Sequence, residues 1–410
     1  MYTFRLYLKR KGVFIIFAVQ LCIILAYLFV QFQSGYQESN KITFVRNYDS
    51  TERVTQTYHT SNFVLKLVNT RENYVNFNSS LCFRYGTDLV SMTMSKGNNW
   101  SCKCLQGWHG NDCGQPEVLW RALLAHHKPN KIKGPRTFER RLIYLFKVNE
   151  FTEHLADIRV NELGSVVDLF ILYEDENTNY LRHKLNNNFC KEHHNKILYA
   201  QETKDNLWER CIPLLKNLRD DDIILANDNN EIPNKDALIF LKYYDRWPEP
   251  IRFRMRWSVF GFFWMHPSKT ITSGGACTVS FLKDSFNNQF KLLSDNKTLS
   301  SPLYKGLTLG DLNHYGGWFC EYCTDAAHVV NFLANKPKNI NWNKINYKKI
   351  DQNYIEELIE NGVYIDGVTQ LEKAHKYHDK YFAPPFVRDH DWKYDFLLIN
   401  FYSKMDYYEG

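Results

Sequence analysis

The stretch best suited to chemistry is IILANDNNEIP, residues 223–233. Its apolar start predicts a buried strand, and Asp228, Asn230 and Glu231 follow it directly. Open α/β sheets bind ligands at the carboxyl ends of their strands. Carboxylate and amide oxygens there can hold a hard divalent cation, which neutralises phosphate oxygens. The pattern therefore indicates a cation site for a phosphorylated ligand. A polar turn is the alternative, since turns favour the same residues, and spacing alone leaves both open.

Other phosphate-binding and hydrolytic patterns are absent from the sequence. It contains no glycine-rich phosphate loop, no G-x-S-x-G and no His-Glu-x-x-His. A protein of this kind that handles a nucleotide must neutralise the phosphates in another way, and a cation at a strand end does so.

The elements that must position these residues alternate between strands and helices. Apolar runs predict buried parallel strands, and residues 151–163 place apolar side chains on one helical face. A helix over 206–218 is limited by Pro213, and a later helix spans 354–361. The predicted strands are 142–148, 166–173, 196–199, 222–226 and 252–264. This order predicts an α/β domain with a mostly parallel sheet.

The N-terminus predicts a membrane anchor. Residues 13–32 are apolar apart from two glutamines and are long enough to cross a bilayer. The basic segment 1–12 before them predicts a cytosolic N-terminus and a lumenal remainder, that is, a single-pass type II protein. A cleaved signal peptide is the alternative, and it leaves the remainder in the same compartment. Residues 33–81 are polar and weakly periodic, which predicts a stem or, alternatively, a folded segment with poor signals.

The cysteines fit an oxidising compartment, and the chain has 10 of them. Residues 82–116 contain CKCLQGWHGNDC, which is similar to the C-terminal half of an EGF-like module. Such a piece is too small to fold without disulfides. We expect the pairs Cys82–Cys102 and Cys104–Cys113. A zinc site is the alternative, but the ligand spacing and the compartment oppose it.

The composition excludes two classes of protein. With 44% hydrophobic and 16% aromatic residues, the chain of 410 residues can bury a sizeable core and is not a disordered protein. The net charge of +6 is spread along the chain, so no nucleic-acid-binding surface is predicted.

Several motifs together resemble glycosyltransferase family 17. In order between residues 136 and 402 they are VNEFTEHLADIRVNELGSVVDLFILYEDENT, ANDNNEIPNKDALIFLKYYDRWPEPIRFRMRWSVFGFFW, HYGGWFCEYC, NGVYIDG and APPF. The resemblance implies a GT-A-like nucleotide-sugar-binding domain over 136–402, α/β with a mostly parallel mixed sheet. It also implies an inverting enzyme that moves N-acetylglucosamine from UDP-GlcNAc to the core β-mannose of N-glycans on glycoproteins, in a β-1,4 linkage, at the Golgi membrane.

The resemblance implies a metal site on the stretch that opened this section. The family's Asp-x-Asp-Glu-Ile-Pro falls on residues 228–233, so Asp228 and Asn230 are the implied ligands of Mn²⁺ or Mg²⁺. Because Asn227 and Asn230 stand where acids are usual, we expect the metal affinity to be weakened: an amide oxygen can ligate a cation but supplies no charge.

The resemblance implies further contacts to the donor. The residues concerned, including Asp228, are Glu174, Arg210, His314 and Trp318. Capping of the following turn is the alternative for Glu174, and packing around a disulfide is the alternative for Trp318. Cys320 and Cys323 match paired cysteines of the family, and Cys277 could pair with either of them.

An inverting transfer needs one general base near the acceptor hydroxyl. Asp366, in a family-like Asp-Gly, and Glu231 are the two candidates. A buried turn is the alternative for Asp366, and orientation of the metal ligands is the alternative for Glu231. Glu321 stands where the family has a small polar residue and is not chosen as a shared base. For the whole chain, the alternatives are a non-catalytic relative that binds glycan or protein, and an enzyme with another donor or acceptor.

Overall fold

The structure, a computed structural model, describes most of the chain after residue 62. The described residues are 20–21, 42–44, 63–77, 80–94, 101–125, 132–299, 301–304, 306–335 and 350–403. The chain divides into two units, Met1–Lys41 and Ile42–Gly410. The predicted tail, 1–12, and the predicted anchor, 13–32, lie outside the described residues except for Gln20 and Leu21. Within the described residues, we find no helix with the length and apolar character needed to cross a membrane.

Seventeen strands lie in the described part of the chain. They are β1 (Thr43–Phe44), β2 (Phe63–Val64), β3 (Tyr74–Phe77), β4 (Ser80–Phe83), β5 (Trp108–His109), β6 (Gln115–Pro116), β7 (Leu142–Lys147), β8 (Leu169–Asp175), β9 (Ile197–Glu202), β10 (Leu215–Lys216), β11 (Ile223–Ala226), β12 (Glu231–Pro233), β13 (Ile251–Val259), β14 (Gly261–Thr278), β15 (Leu307–Leu309), β16 (Gly317–Glu321) and β17 (Glu372–Lys373). Eleven of them form one sheet in the order β1-β9-β8-β7-β11-β14-β13-β16-β12, with β15 on β13 and β17 on β14.

Twelve α-helices accompany these strands in the described ranges. They are α1 (Leu89–Met94), α2 (Glu117–Ala125), α3 (Glu153–Leu163), α4 (Tyr180–Asn186), α5 (Leu207–Cys211), α6 (Lys235–Tyr243), α7 (Val279–Phe286), α8 (Asn296–Leu299), α9 (Ala326–Asn335), α10 (Gln352–Asn361), α11 (Pro385–Asp389) and α12 (Asp391–Leu398). The predicted helix over 206–218 ends early, as Pro213 requires, because the residues after Cys211 form a 3₁₀ turn.

The parallel half of the sheet follows the sequence prediction. Strands β9, β8, β7 and β11 are mutually parallel, and β7 is buried along almost its whole length. Alternate residues of these strands belong to two different hydrophobic clusters, one on each face of the sheet. Continuous apolar runs are therefore needed, because both faces are covered. The carboxyl ends of all four strands meet at one edge.

The other half of the sheet is antiparallel where it joins β11, and here one prediction is wrong. The run 252–264 is not one strand, because β13 ends at Val259 and β14 begins at Gly261. Phe260 makes the turn with a positive φ of 62° and is 3% exposed. The turn is buried and apolar, so it lacks the polar residues that mark most hairpins in a sequence.

The N-terminal part of the described chain is held by disulfides. Cys82–Cys102 and Cys104–Cys113 are both formed, as predicted. Strands β3 and β4 make a hairpin across the predicted boundary at residue 81, so residues 63–77 of the predicted stem are folded. The EGF-like character of residues 82–116 stays a prediction.

The prediction that Cys277 pairs with Cys320 or Cys323 is wrong. Cys320 and Cys323 bond to each other, and Cys277 is a buried free cysteine. In the sheet, β13 separates β14 from β16. Ala276, next to Cys277, is opposite Ile251, whereas Cys320 is opposite Ser258 at the other end of β13. At about 3.3 Å per residue this separation is far beyond the Cα distance that a disulfide spans.

A buried ion pair joins the amino ends of β7 and β11. Arg141 and Asp222 are 2% and 0% exposed, and Arg141 Nε donates to Asp222 Oδ1 at 2.7 Å. Arg141 also donates to the carbonyls of Leu65 and Asn217. The pair sets the register of the two strands whose carboxyl ends carry the site, since the Ile223 amide bonds the Arg141 carbonyl at 2.8 Å.

We predict that Asp222→Asn lowers the free energy of unfolding by about 3–5 kcal/mol, because it leaves a buried guanidinium without its counter-ion. Urea unfolding of the variant and the wild type measures the difference. Asp284→Asn, on the exposed side of α7, is the matched control and should change stability by less than about 0.5 kcal/mol. Equal stability of the two variants would contradict the role of the pair.

Candidate functional site

The turn between β11 and β12 places Asp228 where the sequence predicts a ligand-binding acid. Asp228 is exposed, two residues beyond the end of β11, and Asn230 is half-buried. The Asn229 amide donates to Asp228 Oδ1 at 2.7 Å, which orients the carboxylate within the turn. An exposed carboxylate therefore stands at the carboxyl edge of the parallel strands.

Glu231 lies beneath this turn and is fully buried. Its carboxylate accepts a hydrogen bond from Asn227 Nδ2 at 2.6 Å and another from Ser273 Oγ. Burial raises the pKa of Glu231. Because it is 0% exposed and engaged by both neighbours, its position fits the alternative that it orients the turn rather than acting as a base. Strand β14 approaches closely here, because a Cβ on Gly274 would lie 2.5 Å from Glu231 Oε2. Gly274 also has a positive φ of +62°.

Arg159 holds the same turn from α3. Its side chain is 0% exposed, and Nη2 donates to the carbonyl of Asp228 at 2.8 Å and to that of Asn229. The guanidinium lies 4.5 Å from the Phe146 ring centroid. Arg159 Nε and Nη1 have no hydrogen-bond partner among the described residues. A buried positive charge therefore lies directly under the exposed carboxylate. Sequence reasoning did not select this arginine: it lies within VNEFTEHLADIRVNELGS, a stretch that resembles family 17, but no residue pattern there indicates a ligand.

The two other residues predicted to contact a donor at this edge are engaged in structural contacts. Glu174 is 1% exposed and accepts bonds from the Leu181 amide at 2.9 Å and from Tyr199 Oη at 2.7 Å. It therefore caps the start of α4, as its alternative interpretation predicts. Arg210 donates to the carbonyl of Gln201, near the carboxyl end of β9, and to Thr203 Oγ1 at 2.8 Å.

His314 and Trp318 pack against the C-terminal segment. Trp318 is 4% exposed, is opposite Ile232 in the sheet, and donates from Nε1 to the Tyr381 carbonyl at 2.8 Å. His314 contacts the ring of Tyr381 edge-on and lies 3.2 Å from Asp311. A buried indole has no exposed face for a sugar ring, so Trp318 fits packing around the Cys320–Cys323 disulfide.

Asp366 forms the turn that its alternative interpretation predicts. Its two oxygens accept from the Val368 amide, the Thr369 amide and Thr369 Oγ1 at 2.6–2.9 Å. Burial acts to raise the pKa of Asp366, but the bonds from Thr369 and Val368 outweigh it and lower that pKa. Both Asp366 oxygens are thus turned into its own loop.

A cluster that sequence reasoning missed surrounds Glu321, and we call it the Glu321 cluster: Trp257, His266, Glu321 and Tyr364. Trp257 Nε1 and Tyr364 Oη each donate to Glu321 Oε2 at 3.1 Å. His266 stacks on Trp257 with ring centroids 3.7 Å apart. All four side chains are half-buried. They come from three separate segments of the chain between residues 257 and 364, so no local pattern indicates them.

The Glu321 cluster adjoins the Asp228 turn. Strands β12 and β16 are antiparallel, with Glu231 opposite Phe319. The Cys320 amide bonds the Asn230 carbonyl at 2.9 Å, so the ladder continues into the turn. The structure therefore brings one exposed carboxylate and one half-buried carboxylate to the same end of the sheet.

The residues at the turn fit a divalent cation in part. Among the described residues, no three His, Cys, Asp or Glu side chains are grouped as a metal site. Asp228 offers a carboxylate and Asn230 an amide oxygen, both of which hard cations accept. One charged and one neutral ligand leave most positions to other oxygens, so such an ion would have to be shared with the phosphates of a substrate.

We predict that Gly274→Ala destabilises the protein. A Cβ at this position would lie 2.5 Å from Glu231 Oε2 and closer still to Asn227 Nδ2, and φ is positive. The left-handed conformation alone costs about 1–2 kcal/mol for alanine, and displacement of the buried Asn227–Glu231 bond adds to it. Gly107→Ala is the control, because φ there is +87° but the nearest atom is the flexible tip of Lys380. Chemical unfolding should show a larger loss for Gly274→Ala, and equal losses would contradict the close approach.

Comparison with known proteins finds relatives over most of the chain. The chain is 30% identical over 341 residues to the human protein named β-1,4-mannosyl-glycoprotein 4-β-N-acetylglucosaminyltransferase, which covers 74% of this chain and 63% of the human one. The rat protein of the same name is 30% identical, over 74% of this chain and 62% of its own. The chain thus spans about 63% of the length of the curated relatives that it matches.

Two further comparisons add no support. No family model matches the chain. Among solved structures, mannosyltransferase PcManGT from Pyrobaculum calidifontis in complex with GDP-Man and Mn²⁺ is similar over 53% of this chain and 71% of its own, at 14% identity and a TM-score of 0.33. That likeness is too slight for an inference about fold or ligands.

The likeness to the human and rat proteins confirms the resemblance of the motifs to glycosyltransferase family 17, and the chain belongs to the family of these β-1,4-mannosyl-glycoprotein 4-β-N-acetylglucosaminyltransferases.

Proposed function

We propose that the protein is an inverting glycosyltransferase that moves N-acetylglucosamine from UDP-GlcNAc to the core β-mannose of N-glycans. One observation carries the proposal beyond family membership: Asp228 is exposed at the carboxyl edge of the parallel strands and is held there by Arg159 and Glu231. That edge is where open α/β sheets bind nucleotides. The parallel order β9-β8-β7-β11 also supports a GT-A-like domain.

Asp228 and Asn230 are the residues that would hold Mn²⁺ or Mg²⁺. The ion, when bound, would neutralise the charge that develops on the departing pyrophosphate. The chain's own contribution is to fix the turn. Arg159 anchors two of its carbonyls, and the Asn229 amide orients the Asp228 carboxylate. The buried guanidinium also favours anions above it.

The alternative of a non-catalytic relative rests on the amides at 227 and 230. The contacts of Asn227 give the first of these amides a structural explanation. Asn227 is 5% exposed and donates to the buried Glu231 carboxylate. An aspartate at 227 would set two carboxylates against each other in a buried site, which is costly. The amide at 227 therefore has a structural reason, and Asn230 remains the one substitution that lowers the charge of the metal site.

The proposal includes the location of the enzyme. An anchor over residues 13–32 would hold the protein in the Golgi membrane with its catalytic domain in the lumen, where nucleotide sugars meet N-glycans on glycoproteins. The two N-terminal disulfides support an oxidising compartment.

We predict that Asp228→Asn weakens Mn²⁺-dependent binding of UDP-GlcNAc by about 10- to 100-fold, since a bond to a charged group contributes about 1.5–3 kcal/mol. The change keeps the shape of the side chain and removes its charge. Titration calorimetry of the full-length protein with and without Mn²⁺ gives the affinity, and release of UDP in the presence of an N-glycan acceptor gives the activity.

Asp284→Asn serves as the control, because Asp284 is exposed on α7. Binding and activity that need no metal and survive Asp228→Asn would overturn the metal role. If the wild-type protein binds no UDP-sugar at all, the non-catalytic alternative is favoured instead, whereas binding of a UDP-sugar other than UDP-GlcNAc would favour an enzyme with another donor.

A further inference from the structure

Glu321 is the last residue of β16 and lies beside the Asp228 turn. Because Glu231 is opposite Phe319 in an antiparallel pair, the next residues of β16 run alongside the turn. The bond from the Cys320 amide to the Asn230 carbonyl shows that contact directly. Glu321 is therefore the next residue along the strand from the point where β16 touches the proposed metal site.

The Glu321 carboxylate is held in place from two elements. Trp257 of β13 and Tyr364, in the loop after α10, both donate to Oε2. The Cys320–Cys323 disulfide closes a four-residue loop around Glu321, and Tyr322 in that loop has a φ of +55°. A non-glycine residue in this conformation persists only when its surroundings enforce it. The carboxylate thus has a fixed position rather than that of a mobile surface acid.

The surroundings of Glu321 suit a sugar ring. Trp257, His266 and Tyr364 are half-buried, so each of these residues keeps part of its surface accessible to solvent. Aromatic rings beside a few fixed polar groups are the usual lining of sites for small organic ligands. The C–H faces of a pyranose can pack on such rings while its hydroxyls bond the carboxylate.

The other titratable side chains of the site, Glu231, Asp366 and His266, are less suited to take a proton from a sugar. Glu231 is 0% exposed, and both of its hydrogen-bond donors lie in the core. Asp366 accepts three bonds from its own loop. His266 stacks flat on Trp257 at 3.7 Å, which covers one face of its ring.

We propose that Glu321 is the general base that accepts the proton of the acceptor hydroxyl, and that the rings of the Glu321 cluster bind the acceptor sugar. This inference rests on the proposed function and names its acceptor side. The hydroxyl oxygen forms a bond to the anomeric carbon of N-acetylglucosamine while the bond from that carbon to the phosphate oxygen breaks. The electron pair leaves with UDP, and the hydroxyl proton ends on the Glu321 carboxylate.

The test is Glu321→Gln in the full-length protein, with UDP-GlcNAc, Mn²⁺ and an N-glycan acceptor. We expect kcat to fall by at least about 100-fold, as loss of a general base does. The affinity for UDP-GlcNAc should stay unchanged, which also shows that the variant is folded. Glu360→Gln is the matched control, because Glu360 is exposed on α10 and the chemical change is the same.

A second variant separates a base from a residue that only supports the fold. Tyr364→Phe removes one hydrogen bond to the Glu321 carboxylate and keeps the ring. Because that bond favours the charged form, the acidic limb of the profile of kcat against pH should move to higher pH. The titratable groups around Tyr364, besides Glu321, are His266, Tyr322 and Asp366. The same limb should be absent from the residual rate of Glu321→Gln.

The outcomes distinguish the two proposals. If the wild type transfers N-acetylglucosamine and Glu321→Gln keeps kcat within about threefold, the base assignment is wrong and the proposed function stands. A retained acidic limb in Glu321→Gln would likewise assign the base to another residue. If the wild type binds no UDP-GlcNAc, the proposed function fails, and the assignment fails with it.

Discussion

Strand β11 is hydrogen-bonded to a parallel strand on one side and to an antiparallel strand on the other, and the site depends on this constraint. Pairing with β7 places its carboxyl end at the edge shared by the parallel strands. Pairing with β14 brings Gly274 against the next residue, Asn227. The chain must leave the sheet between these neighbours, so the turn that carries Asp228 emerges where the parallel half meets the antiparallel half.

Two buried charged side chains, Arg159 and Glu231, lie beneath the turn, and different partners satisfy them. Nη2 of the buried Arg159 guanidinium donates to the carbonyls of Asp228 and Asn229. Its Nε and Nη1 have no hydrogen-bond partner among the described residues. The carboxylate of Glu231, also buried, accepts hydrogen bonds from the neutral groups of Asn227 and Ser273. A buried charge is tolerated only when such bonds satisfy it. The network therefore gives a fixed turn with a single exposed carboxylate, Asp228.

The antiparallel half contributes the other wall of the proposed site. Strand β16 is held between β13 and β12, and this double pairing carries Trp257 and Glu321 to the same place from different strands. The Cys320–Cys323 disulfide fixes the loop after β16, and Tyr364 reaches it from the segment after α10. The proposed donor and acceptor sides thus come from the two halves of one sheet, and the turn between β11 and β12 connects them.

The sequence by itself determined the parallel strands, the helix breaks, the two N-terminal disulfides and the place of Asp228, because each depends on local pattern: apolar runs, proline, short cysteine spacing and a polar turn after a strand. Tertiary structure alone decided the roles of the other candidates. Glu231 and Glu174 are common acids in the sequence, and only their burial and hydrogen bonds show them to be structural. Likewise, Cys277 is kept from its expected partners by an intervening strand, and Arg159 and Glu321 gain importance from neighbours distant in the sequence. Such contacts arise from pairing between strands that are distant in the sequence, and the local spacing of residues does not indicate that pairing.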